Sequence, residues 1–123
     1  MLTAEENERL TRVGPGTPMG NLMRRYWQPI AASSQMEEHA TRPIRLLGED
    51  LVLYKDKGGR LGLIGDRCAH RKVNMIYGIP EEEGLRCPYH GWLYNHEGHC
   101  LEQPYEKAED PFELFKEKIL MKA

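Results

Sequence analysis

Cys68-Ala69-His70 and, sixteen residues further on, Cys87-Pro88-Tyr89-His90-Gly91-Trp92 are the stretches whose reading decides the architecture of this chain. Each contributes one thiol and one imidazole, so two loops set face to face can offer a metal centre two sulfurs and two nitrogens. Zinc-finger spacing usually joins like with like, a Cys pair and then a His pair, because neighbouring ligands of one kind wrap a single tetrahedral ion. Here the kinds alternate within each pair. The single residue between Cys68 and His70 is also tight for two ligands on one ion, but comfortable when the two side chains bind different irons.

Two thiolates on one iron and two imidazoles on the other make the ligand set of a Rieske [2Fe-2S] centre. A single structural zinc with the same four ligands is the alternative that the residues leave open. The run CAHRKVNMIYG from Cys68, with EEEGLRCPYHGWLYNHEGHCLEQP after it, resembles the Rieske domain of the large subunit of bacterial aromatic-ring-hydroxylating oxygenases. Upstream, GPGTPMGNLMRRYWQPIAAS resembles the phthalate dioxygenase type of that family, and the likeness spans roughly residues 10 to 121. One departure is visible: Ala69 stands where the family often has proline or a larger residue, which leaves the ligands alone.

The resemblance implies that Cys68 and Cys87 bind one iron and His70 and His90 the other, with Arg71, Pro88, Gly91, Trp92 and Tyr94 around the cluster. It also implies a mainly β fold, a Rieske-type antiparallel β-sandwich with a cluster-binding hairpin subdomain and short N-terminal helices. Pro88 and Gly91 suit a backbone that turns tightly and aims its amides at sulfur. Tyr94, four residues after His90, can donate a hydrogen bond to a ligand sulfur. Neither loop has a further cysteine for the disulfide of respiratory Rieske proteins, and Trp92 stands where those proteins carry a serine. A potential nearer about −150 mV than +300 mV is therefore expected.

Composition agrees with one ordinary globular domain. At 123 residues, 40% hydrophobic and 29% charged, the chain can bury a core without disulfide staples. A net charge of −2 with interspersed signs offers no polybasic run for nucleic acid or a membrane surface. No apolar run has the length of a membrane span, and Met1 is followed by acidic residues rather than by a signal peptide, so a cytoplasmic location is expected. Of the three cysteines, Cys68 and Cys87 read as thiolate ligands in a reducing compartment. Cys100 reads as a small packed residue, since no flanking Lys or Arg lowers its pKa. His39, His96 and His99, in polar turn-rich sequence, read as surface residues.

Local signals place these residues on elements. Thr3 with Glu6 forms a capping-box pattern, and Leu2, Leu10 and Val13 offer an apolar edge before Gly14-Pro15-Gly16 ends the helix. Thr17-Pro18 opens a second helix with Met19, Leu22, Met23 and Tyr26 near helical spacing, and Arg24 and Arg25 read as solvated charges. Residues 1–26 thus form a helical segment and 27–123 the β domain, with the cluster-binding part at about 66–102. Strands are expected over Gln28 to Ala32, Ile44 to Leu47, Leu51 to Tyr54 and Leu61 to Ile64, the last two joined by a turn at Lys57-Gly58-Gly59. Leu85 to Cys87 and Trp92 to Tyr94 form a further hairpin, Asn95 to Gly98 turns at its far end, and the two ligand loops are expected as tips of neighbouring hairpins. Another strand is expected to begin at Ile119.

By the resemblance, electrons reach such a domain from a reductase or ferredoxin and pass to a mononuclear iron in the catalytic domain of a neighbouring subunit of a homo-oligomer. These residues contain no two-histidine, one-carboxylate site, and the acidic stretch from Glu106 to Glu117 has no histidine. The expectation is therefore an N-terminal portion of an oxygenase subunit, without the oxygen-activating site. A stand-alone Rieske ferredoxin or a structural zinc module for protein interaction are the alternatives.

Overall fold

Alternation of short apolar stretches with glycine turns builds two antiparallel sheets. A computed structural model of the chain describes residues 1–106 and 115–123; most of the acidic stretch read above lies outside the described residues. The first sheet has the order β1 (Thr41–Leu46), β2 (Glu49–Lys55), β3 (Leu61–Gly65). The second has the order β4 (Ile79–Glu81), β5 (Gly84–Arg86), β6 (Leu93–Tyr94), β7 (Cys100–Glu102). The mainly β reading therefore holds.

β2 is central in its sheet, and Leu51, Val52, Leu53 and Tyr54 are all buried, which explains why the run alternates only weakly. Pro43, which lacks an N–H, is accommodated in β1 at the sheet edge. Leu46 pairs with Glu49 across a two-residue turn in which Leu47 and Gly48 both have positive φ, 48° and 80°. At the other end of β2, Asp56 accepts from the Arg60 N–H at 2.7 Å through Oδ1, and Gly59 turns at φ 86°.

The N-terminal helices form as their caps require. In α1 (Ala4–Thr11) the Thr3 hydroxyl accepts from the Glu6 N–H at 3.2 Å while the Glu6 carboxylate accepts from the Thr3 N–H at 2.7 Å. In α2 (Pro18–Met23) Thr17 caps Gly20 and Pro18 occupies the first turn, where an N–H has no intrahelical partner anyway.

Three expectations are corrected here. Leu2 and Leu10 remain exposed and α1 buries no residue, so the expected apolar edge is left largely facing solvent. Residues 28–32 are not a strand: Pro29 cannot donate to a ladder and no strand among the described residues runs alongside. A short helix, α3 (Gln35–Glu38), follows instead and buries Met36. Arg24 is not simply solvated. Its guanidinium donates to the carbonyls of Val13 and Leu47 and to Glu49 Oε2 at 2.9, 3.2 and 2.9 Å, tying the helical segment to the β1–β2 turn.

One core spans both sheets. Val52, Tyr54 and Ile64 of the first pack with Leu85, Tyr94 and Cys100 of the second, and Cys68, Met75, Cys87, Trp92 and Met121 complete the cluster. Hydrogen bonds lace the halves together: the Lys57 N–H donates to the Glu81 carbonyl at 2.8 Å, and the Thr41 hydroxyl donates to the Ile76 carbonyl at 2.7 Å. The segment from Ile119 makes a bridge from Leu120 to His99 rather than a strand. It runs between the halves, with the Gly65 N–H on the Lys122 carbonyl and the Met121 N–H on the Gly98 carbonyl, both at 2.8 Å. A Cβ on Gly98 would meet the Met121 carbonyl oxygen. Among the described residues no helix is long and apolar enough to cross a membrane.

Candidate metal centre

The second donor loop is the tip of the β5–β6 hairpin, where Leu85 pairs with Tyr94 and Arg86 with Leu93. The Cys87 N–H donates to the Trp92 carbonyl at 2.8 Å, and the Cys87 carbonyl accepts from the Gly91 N–H at 3.1 Å, with Gly91 at φ 75°. The first loop closes in the same way: the Cys68 N–H donates to the Val73 carbonyl and the Cys68 carbonyl accepts from the Lys72 N–H, both at 2.9 Å, with Lys72 at φ 60°. It is not a hairpin tip between two strands, however. A single bridge between Arg67 and Asn74 flanks it, and a 3-10 turn (Met75–Tyr77) capped by the Asn74 side chain follows.

The two loops bring the candidate donors together in pairs, thiol beside thiol and imidazole beside imidazole. Cys68 and Cys87 are buried members of the core, while His70 and His90 are half-buried with ring centroids 4.6 Å apart and planes at 65°. Burial, the largest cause, raises the pKa of the Cys87 thiol; the neighbouring Cys68 thiol also raises it, and the backbone N–H groups of Tyr89 and His90 aimed at its sulfur work the other way. Left to itself the Cys87 thiol keeps its proton, and a bound cation inverts that preference. Tyr94 Oη lies 3.3 Å from Cys68 Sγ. Either group can donate while the thiol is protonated, but only the hydroxyl can once it is a thiolate. Burial, and then the hydrogen bond to Cys68, raise the pKa of Tyr94, so the phenol keeps its proton.

His70 Nδ1 and His90 Nδ1 are both buried and have no hydrogen-bond partner among the described residues. A buried polar atom left unpaired costs about 1–3 kcal/mol, and the same nitrogen is orphaned on both imidazoles. Among the described residues no three His, Cys, Asp or Glu side chains gather around one point as ligands of a single ion. The donors come instead as a thiol pair and an imidazole pair, which suits two metal atoms.

Similarity to known proteins follows the same lines. The Rieske [2Fe-2S] domain family matches residues 26–116. This chain belongs to that family. The domain is 54% identical over its whole length to the 5,5'-dehydrodivanillate O-demethylase oxygenase subunit of Sphingobium sp. (strain NBRC 103272 / SYK-6), covering 29% of that protein. It is 46% identical over 110 residues, 88% of this chain and 25% of the relative, to the phthalate 4,5-dioxygenase oxygenase subunit of Pseudomonas putida. Among solved structures, Pseudomonas putida CBB5 NdmA with caffeine superposes with a TM-score of 0.67 at 28% identity, covering 83% of this chain and 30% of that one. The Rieske domain thus spans between a quarter and a third of the length of these oxygenases.

Around the donors of this Rieske domain, Trp92 is buried and stacks on the His70 ring, with centroids 4.6 Å apart and planes within 8°. Tyr89 is exposed and tilts over His90 at 3.9 Å between centroids. Pro88 is exposed at the loop tip, and Arg71 is exposed with no hydrogen bond or ion pair to the described residues. Cys100 is buried, with its thiol aimed at the Glu102 carbonyl at 3.5 Å and its pKa pushed up to about 11, mainly by burial. His39 and His99 are exposed, and His96 approaches the Arg60 guanidinium at 3.4 Å.

Sequence reasoning missed Arg86. Its guanidinium donates to the Gly91 carbonyl at 2.7 Å, to Glu102 at 2.8 Å and to Glu81 at 3.2 Å, close against the second donor loop. The only signal was its place beside Cys87, which does not reveal partners far apart in the chain.

Proposed function

We propose that this Rieske domain is the electron-transfer module of a bacterial aromatic-ring-hydroxylating oxygenase of phthalate dioxygenase type. Cys68 and Cys87 hold one iron of the [2Fe-2S] cluster, and His70 and His90 hold the other through Nδ1. The observation that carries this assignment is the pair of buried, unpartnered Nδ1 atoms on two imidazoles whose ring centroids lie 4.6 Å apart, on loops that also carry two buried thiols.

When bound, the cluster supplies storage for one electron at a time. The protein's contribution is to hold the donors and to soften the charge that reduction adds. Tyr94 donates to the Cys68 sulfur, and the Tyr89 and His90 amides donate to the Cys87 sulfur. Trp92 covers one face of His70 and keeps water from that side. Both histidine residues are only half-buried, which puts them near the surface, where electrons can enter or leave.

In this reading the electrons come from a reductase or ferredoxin in the cytoplasm. They pass to a mononuclear iron in the catalytic domain of a neighbouring subunit of a homo-oligomer, and the product is a hydroxylated or demethylated aromatic acid. Support comes from the related O-demethylase and dioxygenase subunits, of which this domain spans about a quarter.

Metal and acid-labile sulfide analysis of purified protein, with its visible spectrum, tests the proposal. Two irons and two sulfides per chain are expected. One zinc per chain without labile sulfide sinks it in favour of a structural zinc module.

A further inference from the structure

Arg86 precedes Cys87 and reaches across the whole second sheet. Glu81 ends β4 and Glu102 ends β7, the two outer strands, so a side chain from β5 joins both edges of the sheet. Its third contact, Nη1 to the Gly91 carbonyl at 2.7 Å, falls on the donor loop itself. Gly91 has a left-handed φ of 75° and no side chain to hold it, and it lies between His90 and Trp92. Rotation of the peptide after Gly91 would tilt His90 on one side and lift Trp92 from the His70 ring on the other. Arg86 blocks that rotation with a planar fork that lysine cannot reproduce.

The contacts also carry charge. One guanidinium faces two carboxylates, with Lys57 3.9 Å from Glu81 as a more distant cation. A cation beside the cluster favours the reduced state, which has one more negative charge, and a carboxylate disfavours it. We propose that Arg86 is a positioning residue for the cluster: it locks the Gly91 peptide and, balanced by Glu81 and Glu102, sets the local field in which the cluster is reduced.

This rests on the ligand assignment above, and the two can fail separately. Wild-type protein without labile sulfide sinks the assignment, whereas a normal wild-type cluster that ignores Arg86 sinks only this proposal. The experiment uses cluster-loaded protein and reads midpoint potential, electron paramagnetic resonance g-values and the rate of cluster loss on warming. Arg86→Gln should shift the potential negative, alter the g-values and speed cluster loss about tenfold, the effect of losing one charge-assisted hydrogen bond. Arg86→Lys should restore the potential but not the retention, since it keeps charge without the fork. Glu102→Gln, at a side chain 54% exposed, should shift the potential positive. Wild-type potential and g-values in Arg86→Gln overturn the proposal, as do equal-sign shifts in Arg86→Gln and Glu102→Gln. Should Arg86→Gln fail to fold, the lysine and Glu102 variants decide: a wild-type potential in Glu102→Gln, or wild-type retention in Arg86→Lys, overturns it.

Discussion

In the loop from Cys68 to Val73 the cysteine N–H reaches the carbonyl five residues on, and the cysteine carbonyl takes the N–H four residues on; from Cys87 to Trp92 the same two bonds recur. The residue that turns the chain sits four places after the cysteine in both and has positive φ in both, but it is Lys72 in one and Gly91 in the other. The histidine is displaced too, second after the cysteine in the first loop and third in the second. Backbone closure, not residue identity, is what the two share. Their surroundings also diverge. Paired strands and Arg86 hold the second loop, while the first has one bridge, a 3-10 turn and the Tyr94 hydroxyl.

The severest test of this equivalence removes one donor from each loop. His70→Ala and His90→Ala should each abolish the native Rieske signal, because each leaves one iron a ligand short. Electron paramagnetic resonance of the dithionite-reduced proteins checks this. An unchanged signal from His70→Ala with loss in His90→Ala would break the pairing of the loops and the assignment with it.

Next in size is the turn residue of the second loop. A side chain at Gly91 faces the left-handed penalty of about 1–2 kcal/mol, and its Cβ would stand 3.2 Å from Pro104 Cγ. Gly91→Ala should therefore lower unfolding free energy by about 2 kcal/mol, read from denaturant titration of the cluster-loaded protein. A loss below about 0.5 kcal/mol would mean that the second loop is as tolerant as the first.

Smaller again is the effect of the sulfur's hydrogen bonds, where the loops differ in kind. As thiolates, Cys68 takes a side-chain donor and Cys87 takes backbone amides, so only the first can be silenced by a single substitution. Tyr94→Phe should shift the midpoint potential negative by roughly 40 mV, the one-electron equivalent of a hydrogen bond worth about 1 kcal/mol. An unmoved potential in a redox titration would show that the hydroxyl serves packing alone.

What could be foreseen from the residues divides along the same lines. The Thr3–Glu6 cap, the Lys57-Gly58-Gly59 turn and the β5–β6 hairpin are encoded within a few residues of themselves, and they form where local chemistry demands. Arg24 and Arg86 could not be placed, because their partners lie up to 25 and 16 residues away and become neighbours only once the sheets have formed. Residues 28–32 looked like a strand in composition, but a strand exists only if another lies beside it. The first donor loop departs from the expected hairpin tip for a similar reason. Its ends are held by Arg67–Asn74 pairing and by the Met75 N–H on the Asp66 carbonyl at 2.8 Å, neither of which has a local signature.

Lys72 supplies the finest test, because it occupies the conformation that Gly91 adopts with no Cβ. A lysine at φ 60° carries about 1 kcal/mol of backbone strain, which glycine removes. Glycine also widens the unfolded ensemble, which costs about 0.5–1 kcal/mol in the opposite direction. The two nearly cancel, so Lys72→Gly should leave stability within about 0.5 kcal/mol of wild type, against the roughly fourfold larger loss in Gly91→Ala. Lys72→Val sharpens the contrast, since a β-branched side chain tolerates positive φ least, and it should destabilise by about 1 kcal/mol or more. If chemical denaturation found Lys72→Gly strongly destabilised, the lysine side chain rather than the backbone bonds would be holding the first loop, and its likeness to the second would end at the hydrogen-bond pattern.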